Sequence, residues 1–120
     1  MKKIMIIDGD REGLTPVART LETEGFEVFT VTSGQIAPRE IERRQPHVVV
    51  LDTGRPGGCG LDLLSRIRRS ADIPVLLTTE TGDEIEEILA LREGADDYLH
   101  KPFTPDEIRS AAEKAFTLAA

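Results

Sequence analysis

The run Val48-Val49-Val50-Leu51-Asp52 sets the architecture. Four apolar residues follow one another without polar alternation and stop at a carboxylate. A run this short and uniform suits a strand buried on both faces. Ile4-Met5-Ile6-Ile7 reads the same way and also stops at an acid, Asp8. Val75-Leu76-Leu77 is the third such run, and Thr78-Thr79 follow it. Two further segments are less apolar, Glu27-Val28-Phe29-Thr30-Val31 and Asp97-Tyr98-Leu99-His100, and read as edge strands.

Helical spacing fills the gaps. Leu14, Val17, Ala18 and Leu21 share one face, as do Ile108, Ala111, Ala112, Ala115 and Phe116. Ile85, Ile88 and Leu89 repeat part of that spacing, and Leu61, Leu64 and Ile67 follow a glycine-rich loop. Residues Ile36 to Arg44 carry the thinnest pattern, with Pro38 in the first turn. Thr104-Pro105-Asp106-Glu107 offers a cap, a first-turn proline and a capping-box acid for the last helix. Strand and helix therefore alternate through five units. Such alternation predicts an α/β fold with right-handed crossovers and a parallel sheet. Three central and two edge strands fit a flavodoxin-like, doubly wound, five-stranded sheet of order 2-1-3-4-5, whose ligands gather at the carboxyl ends of the strands.

The whole chain, residues 1–120, is expected to form one domain. Apolar residues make up 39% and charged residues 31%, a globular balance. With 15 basic and 22 acidic residues the net charge is −7, which disfavours direct contact with nucleic acid or anionic lipid. The apolar run after Lys2-Lys3 stops at Asp8, too short for a signal peptide or a membrane span. A single cysteine, Cys59, excludes an internal disulfide and fits a cytoplasmic location.

The predicted strand ends bring Asp8, Asp10, Asp52, Thr78-Thr79 and Lys101 to one rim. Crowded carboxylates repel one another unless a cation joins them. Mg²⁺ meets that need with one or two carboxylates, phosphate oxygens and water. A lysine and a hydroxyl suit a phosphoryl group. Asp52 stands where a carboxylate can act as a nucleophile and form an aspartyl phosphate. Each residue alone also has a plain reading: a turn former or cap for the aspartates, a cap for Thr79, a solvated surface lysine for Lys101. Four strand ends supplying complementary chemistry favour the site.

At these residues the chain resembles the receiver domain of two-component response regulators. The stretches that carry the resemblance are residues 3–8, 48–52, Arg55-Pro56-Gly57 with Gly60, residues 73–79, and Gly94-Ala95-Asp96-Asp97-Tyr98-Leu99-His100-Lys101-Pro102-Phe103. The resemblance implies that Asp52 is the phosphoacceptor. It implies that Asp8 and the backbone carbonyl of Gly54 join Asp52 in holding Mg²⁺. Thr79, five residues past Pro74, corresponds to the switch hydroxyl, and Tyr98 to an aromatic rotamer switch. Lys101 corresponds to the phosphoryl-binding lysine, joined by a cis bond to Pro102. The implied phosphodonor is a histidine kinase or a histidine phosphotransfer protein. The implied readout is a downstream protein or effector domain that meets the fourth helix, fifth strand and fifth helix, a face that also leaves homodimerisation open.

Three positions depart from the family pattern. Gly9 replaces the second acid of the metal-binding pair. Asp10 lies one residue further on, about 3.8 Å along the chain, so it reaches the ion only if the loop rearranges. A helix-capping role for Asp10 is favoured, and Mg²⁺ binding is expected to be weaker than usual. Glu80 follows the switch hydroxyl where a small residue is usual; it either faces solvent or stands near the phosphoryl entrance. Cys59 replaces a frequent acid and reads as a passive small residue. The expected function is a phosphorylatable receiver, not an enzyme with turnover on a free substrate. The alternative is a pseudo-receiver that binds partners without phosphorylation. A flavin or nucleotide binder is disfavoured, because Asp8-Gly9-Asp10-Arg11-Glu12 is no glycine-rich phosphate loop.

Overall fold

A sheet of five parallel strands with order β2-β1-β3-β4-β5 forms the centre of the molecule. The computed structural model describes residues 2–9, 11–52, 60–80 and 84–119. Along the chain run β1 (Lys3–Ile7), α1 (Arg11–Thr23), β2 (Glu27–Val31), α2 (Ala37–Arg44), β3 (Val48–Asp52), α3 (Gly60–Ser70), β4 (Val75–Thr79), α4 (Glu84–Arg92), β5 (Asp97–His100) and α5 (Pro105–Ala119). This is the doubly wound flavodoxin-like order that the alternation of runs predicts. The thin pattern before Arg44 is a helix, with Ile36 at its N-cap and a proline in its first turn.

The register sorts the side chains by parity, because successive residues of a strand face opposite sides. Ile4 and Ile6 of β1, Val48 and Val50 of β3, and Leu76 of β4 pack with Leu21, Ile108, Ala112 and other residues of α1 and α5. Met5, Ile7, Val49, Leu51, Val75 and Leu77 pack with Ile41, Leu64, Ile67 and Ala90 on the other side. The three central strands are buried on both faces, hence their uninterrupted apolar sequences. β2 and β5 lie at the edges and are only partly buried.

The apolar stripe of α4 lies on its outer side. Ile85, Ile88 and Leu89 do share a helical stripe, but the stripe faces outward. Ile85 is 68% and Ile88 56% exposed, whereas Ala90 is the buried residue of the helix. Periodicity shows that a stripe exists; a small residue on the opposite side lets the helix sit close to the sheet there.

Local signals place the remaining ends. Thr104 and Glu107 form the reciprocal capping box, with Glu107 N donating to Thr104 Oγ1 at 3.1 Å and Thr104 N to Glu107 Oε1 at 3.2 Å. α4 stops at Gly94, whose φ of +108° is the left-handed region. There Ala95 N donates to Ala90 O and Gly94 N to Leu91 O, which satisfies the last carbonyls. Arg68 of α3 closes over this turn. Its Nε donates to Gly94 O at 2.7 Å, one terminal nitrogen donates to Ile73 O, and the other pairs with Asp96 Oδ2 at 2.5 Å. Asp96 Oδ2 also accepts from Val75 N at 2.8 Å, so the same carboxylate tethers the start of β4.

A Cβ at Gly94 would lie 2.9 Å from Arg68 Nε, in addition to the cost of its positive φ. Gly94→Ala is therefore expected to lower stability by about 2 kcal/mol. Urea unfolding checks this, and Arg68→Ala should remove the steric part of the loss but not the backbone part.

Candidate functional site

Each row of core residues on the α1–α5 side of the sheet ends in a polar group. Ile4 and Ile6 lead to Asp8, Val48 and Val50 to Asp52, Leu76 to Thr78, and Leu99 to Lys101. Backbone bonds carry the ladders to the rim: Asp8 N donates to Val31 O at 3.0 Å and Lys101 N to Thr79 O at 2.7 Å. Asp8 is 5% exposed, and Thr78 and Thr79 are buried. The bond between Lys101 and Pro102 is cis.

Lys101 joins the two carboxylates. Its Nζ lies 3.1 Å from Asp52 Oδ1 and 3.5 Å from Asp8 Oδ2. Burial disfavours its charge, but attraction and hydrogen bonding to Asp52, then to Asp8, outweigh burial and hold its pKa above the usual lysine value. Lys101 is thus a cation built into an acidic pocket rather than a solvated surface residue.

Thr78 and Thr79 divide between the two faces. Thr78 is paired in register with Asp52, and its Oγ1 donates to Asp52 Oδ1 at 3.3 Å. Thr79 lies one residue further, on the side of Leu77, whose register partner is Tyr98. Thr79 and Tyr98 therefore share the α4 side of the sheet. The Tyr98 hydroxyl is buried, and the ring packs against the core cluster there, so this edge-strand aromatic is turned inward and not into water. The family resemblance singles out Thr79, and the contact of Thr78 with Asp52 is not foreseen in it. Counting strand alternation back from the paired carboxylate is the signal that finds it.

A family model for the response regulator receiver domain matches residues 4–113. The chain belongs to the receiver domains of two-component response regulators. The sensory transduction protein RegX3 of Mycobacterium tuberculosis is 34% identical over 108 residues, which cover 90% of this chain and 48% of that protein. The receiver thus spans about half the length of the curated relatives it matches. The BeF3-activated N-terminal receiver domain of Klebsiella pneumoniae RstA superposes with a TM-score of 0.89 at 29% identity, over 96% of this chain and 98% of that one. A putative response regulator from Chloroflexus aurantiacus gives 0.88 at 29% identity, over 97% and 98%. A CheY-like receiver from Methanospirillum hungatei gives 0.90 at 23% identity, over 99% and 96%, a likeness of fold.

Receiver domains generally bind Mg²⁺ at such an acidic pocket. The donor set here fits a hard divalent ion: Asp8 and Asp52 offer carboxylate oxygens on adjacent strands, and Mg²⁺ uses one or two carboxylates with water in the other places. Among the described residues no group of three or more acids, histidines or cysteines surrounds one point, so the site is a two-carboxylate one there. The candidate ligands Asp10 and the Gly54 carbonyl, and Cys59, lie outside the described residues. At Gly9 the backbone is not left-handed, and among the described residues, its chain neighbours aside, nothing lies within 4 Å of an added Cβ. Among the described residues the missing acid therefore leaves open space and not a substitute contact. Glu80 is exposed, and among the described residues Lys101 pairs with Asp8 and Asp52 and not with Glu80.

Proposed function

We propose that this receiver is phosphorylated on Asp52 and signals the change through the α4 side of the sheet. The observation that carries this reading is Lys101 held between Asp8 and Asp52. A carboxylate nucleophile, a partner acid and a fixed cation stand within reach of one another, which is what phosphoryl transfer to an aspartate requires. A divalent ion held by Asp8 and Asp52, with the Gly54 carbonyl, would supply charge neutralisation for the incoming phosphoryl oxygens. An Asp52 oxygen attacks phosphorus, and the donor's leaving group departs with the bonding pair. Lys101 then exchanges its carboxylate partner for a phosphoryl oxygen.

The donor in this reading is a histidine kinase or a histidine phosphotransfer protein, in keeping with the family. The domain assists its own phosphorylation and dephosphorylation and turns over no free substrate. Thr79 moves toward the phosphoryl group, and Tyr98, already turned inward on the same face, repacks into the space it leaves. That repacking alters α4, whose exposed Ile85, Ile88, Leu89 and Leu91 give the α4–β5–α5 face apolar surface for an effector domain or a partner protein. We place residues 1–120 in one domain and the protein in the cytoplasm, a location supported by its single cysteine. A second reading, a pseudo-receiver that binds without phosphorylation, rests on two departures, Gly9 in place of an acid and the exposed Glu80 after Thr79.

Incubation with acetyl phosphate and Mg²⁺ is expected to add one phosphoryl group to the wild type, read as intact mass, and none to Asp52→Asn. Uptake that persists in Asp52→Asn would move the phosphoacceptor elsewhere. Gly9→Asp places a carboxylate in the open space beside Asp8 and is expected to tighten Mg²⁺ binding about tenfold, measured by calorimetry. An unchanged affinity would mean that this position does not face the ion.

A further inference from the structure

Asp52 carries both of its described side-chain contacts on one oxygen. Lys101 Nζ and Thr78 Oγ1 both meet Oδ1, at 3.1 Å and 3.3 Å. Thr78 is 2% exposed and is the register partner of Asp52 on the neighbouring strand, so the sheet sets its backbone beside that carboxylate. We propose that Thr78 is a positioning residue for Asp52: its hydroxyl holds Oδ1, presents Oδ2 as the attacking oxygen, and shortens the life of the aspartyl phosphate. The inference rests on Asp52 being the phosphoacceptor.

The chemistry gives the direction. In loading, a bond forms from Oδ2 to phosphorus while the donor's bond to phosphorus breaks. Oδ1, which shared the carboxylate charge, becomes a neutral carbonyl oxygen. In hydrolysis, water oxygen bonds to phosphorus, the bond from phosphorus to Oδ2 breaks, and its electron pair returns to the carboxylate. The water proton leaves with inorganic phosphate. A donor on Oδ1 binds the charged carboxylate about twice as strongly as the carbonyl. It therefore stabilises the departing carboxylate as charge builds on it and lowers the barrier to loss of the phosphoryl group. Lys101, drawn to phosphoryl oxygens in the loaded state, leaves Oδ1 to Thr78. At 3.3 Å the bond is long for a hydroxyl donor, so the effect belongs at the small end. Removing the hydroxyl should slow decay about threefold.

The test loads wild type, Thr78→Val and Thr78→Ser with acetyl phosphate and Mg²⁺, removes the donor, and follows intact mass with time. Thermal melting runs alongside, and Thr78→Ala replaces the valine variant if valine does not fold. The expected result is slower decay and a larger phosphorylated fraction in Thr78→Val, with Thr78→Ser close to wild type. Equal decay in wild type and valine variant overturns the proposal. So does equal slowing in the serine and valine variants, which would mark a packing role. Should the wild type take up no phosphoryl group, the pseudo-receiver reading takes the place of the Asp52 one. The Asp52 carboxyl carbon resonance in the three proteins then still decides the hydrogen bond. A shift that valine moves and serine restores keeps it, and one resonance common to all three overturns it.

Discussion

Two carboxylates at adjacent strand ends, largely withdrawn from water, need a positive charge between them. Lys101 supplies it, and much of the rim is arranged to keep it there. The lysine follows the last residue of an edge strand, and its backbone nitrogen is tied to Thr79, so the side chain reaches across β4 to Asp52 and Asp8. Such a cluster is poised rather than inert. Any group that brings negative oxygens to the rim competes with the aspartates for the lysine, and any cation competes with the lysine for the aspartates. The exchange of partners within this one set of charges is the physical basis for the proposed response to phosphorylation.

Sheet parity then separates two tasks. Asp8, Asp52, Thr78 and Lys101 terminate the rows that face α1 and α5, and Lys101 and Thr78 there contact the carboxylate proposed to react. Thr79 and Tyr98 belong to the face covered by α4, where a movement can be passed to a surface. A single strand, β4, supplies one hydroxyl to each task from consecutive residues. α4 is suited to follow a change beneath it, because Ala90 is its buried residue and its larger apolar side chains face outward. The Arg68 clamp on Gly94, Ile73 and Asp96 ties together the opposite ends of β4 and β5, away from the rim.

The fold was legible because its signals are local. Short apolar runs mark the buried strands, helical spacing marks the crossovers, and Thr104 with Glu107 marks a helix start. Asp8, Asp52 and Lys101 were legible as a site once the strand order was known, since each closes or follows a strand. Thr78 was not, because its role depends on which residue of β4 pairs with Asp52, a relation between strands that no single segment contains. The outward stripe of α4 was hidden for a similar reason: spacing finds an apolar face but does not say what covers it. Gly9 was read as a missing acid, and the space beside it among the described residues is a property of the fold and not of any one segment.

The most direct test of the central claim, that this charge cluster receives a phosphoryl group and passes the change to α4, is an amide NMR titration with Mg²⁺ and then beryllofluoride. The account predicts saturable shifts at Asp8, Asp52 and Lys101 with Mg²⁺. On adding beryllofluoride it predicts a second set that includes Thr79 and Tyr98 and extends into residues 84–92. A spectrum that beryllofluoride leaves unchanged at saturating Mg²⁺, or changes only at the rim while Tyr98 and α4 stay fixed, would contradict it.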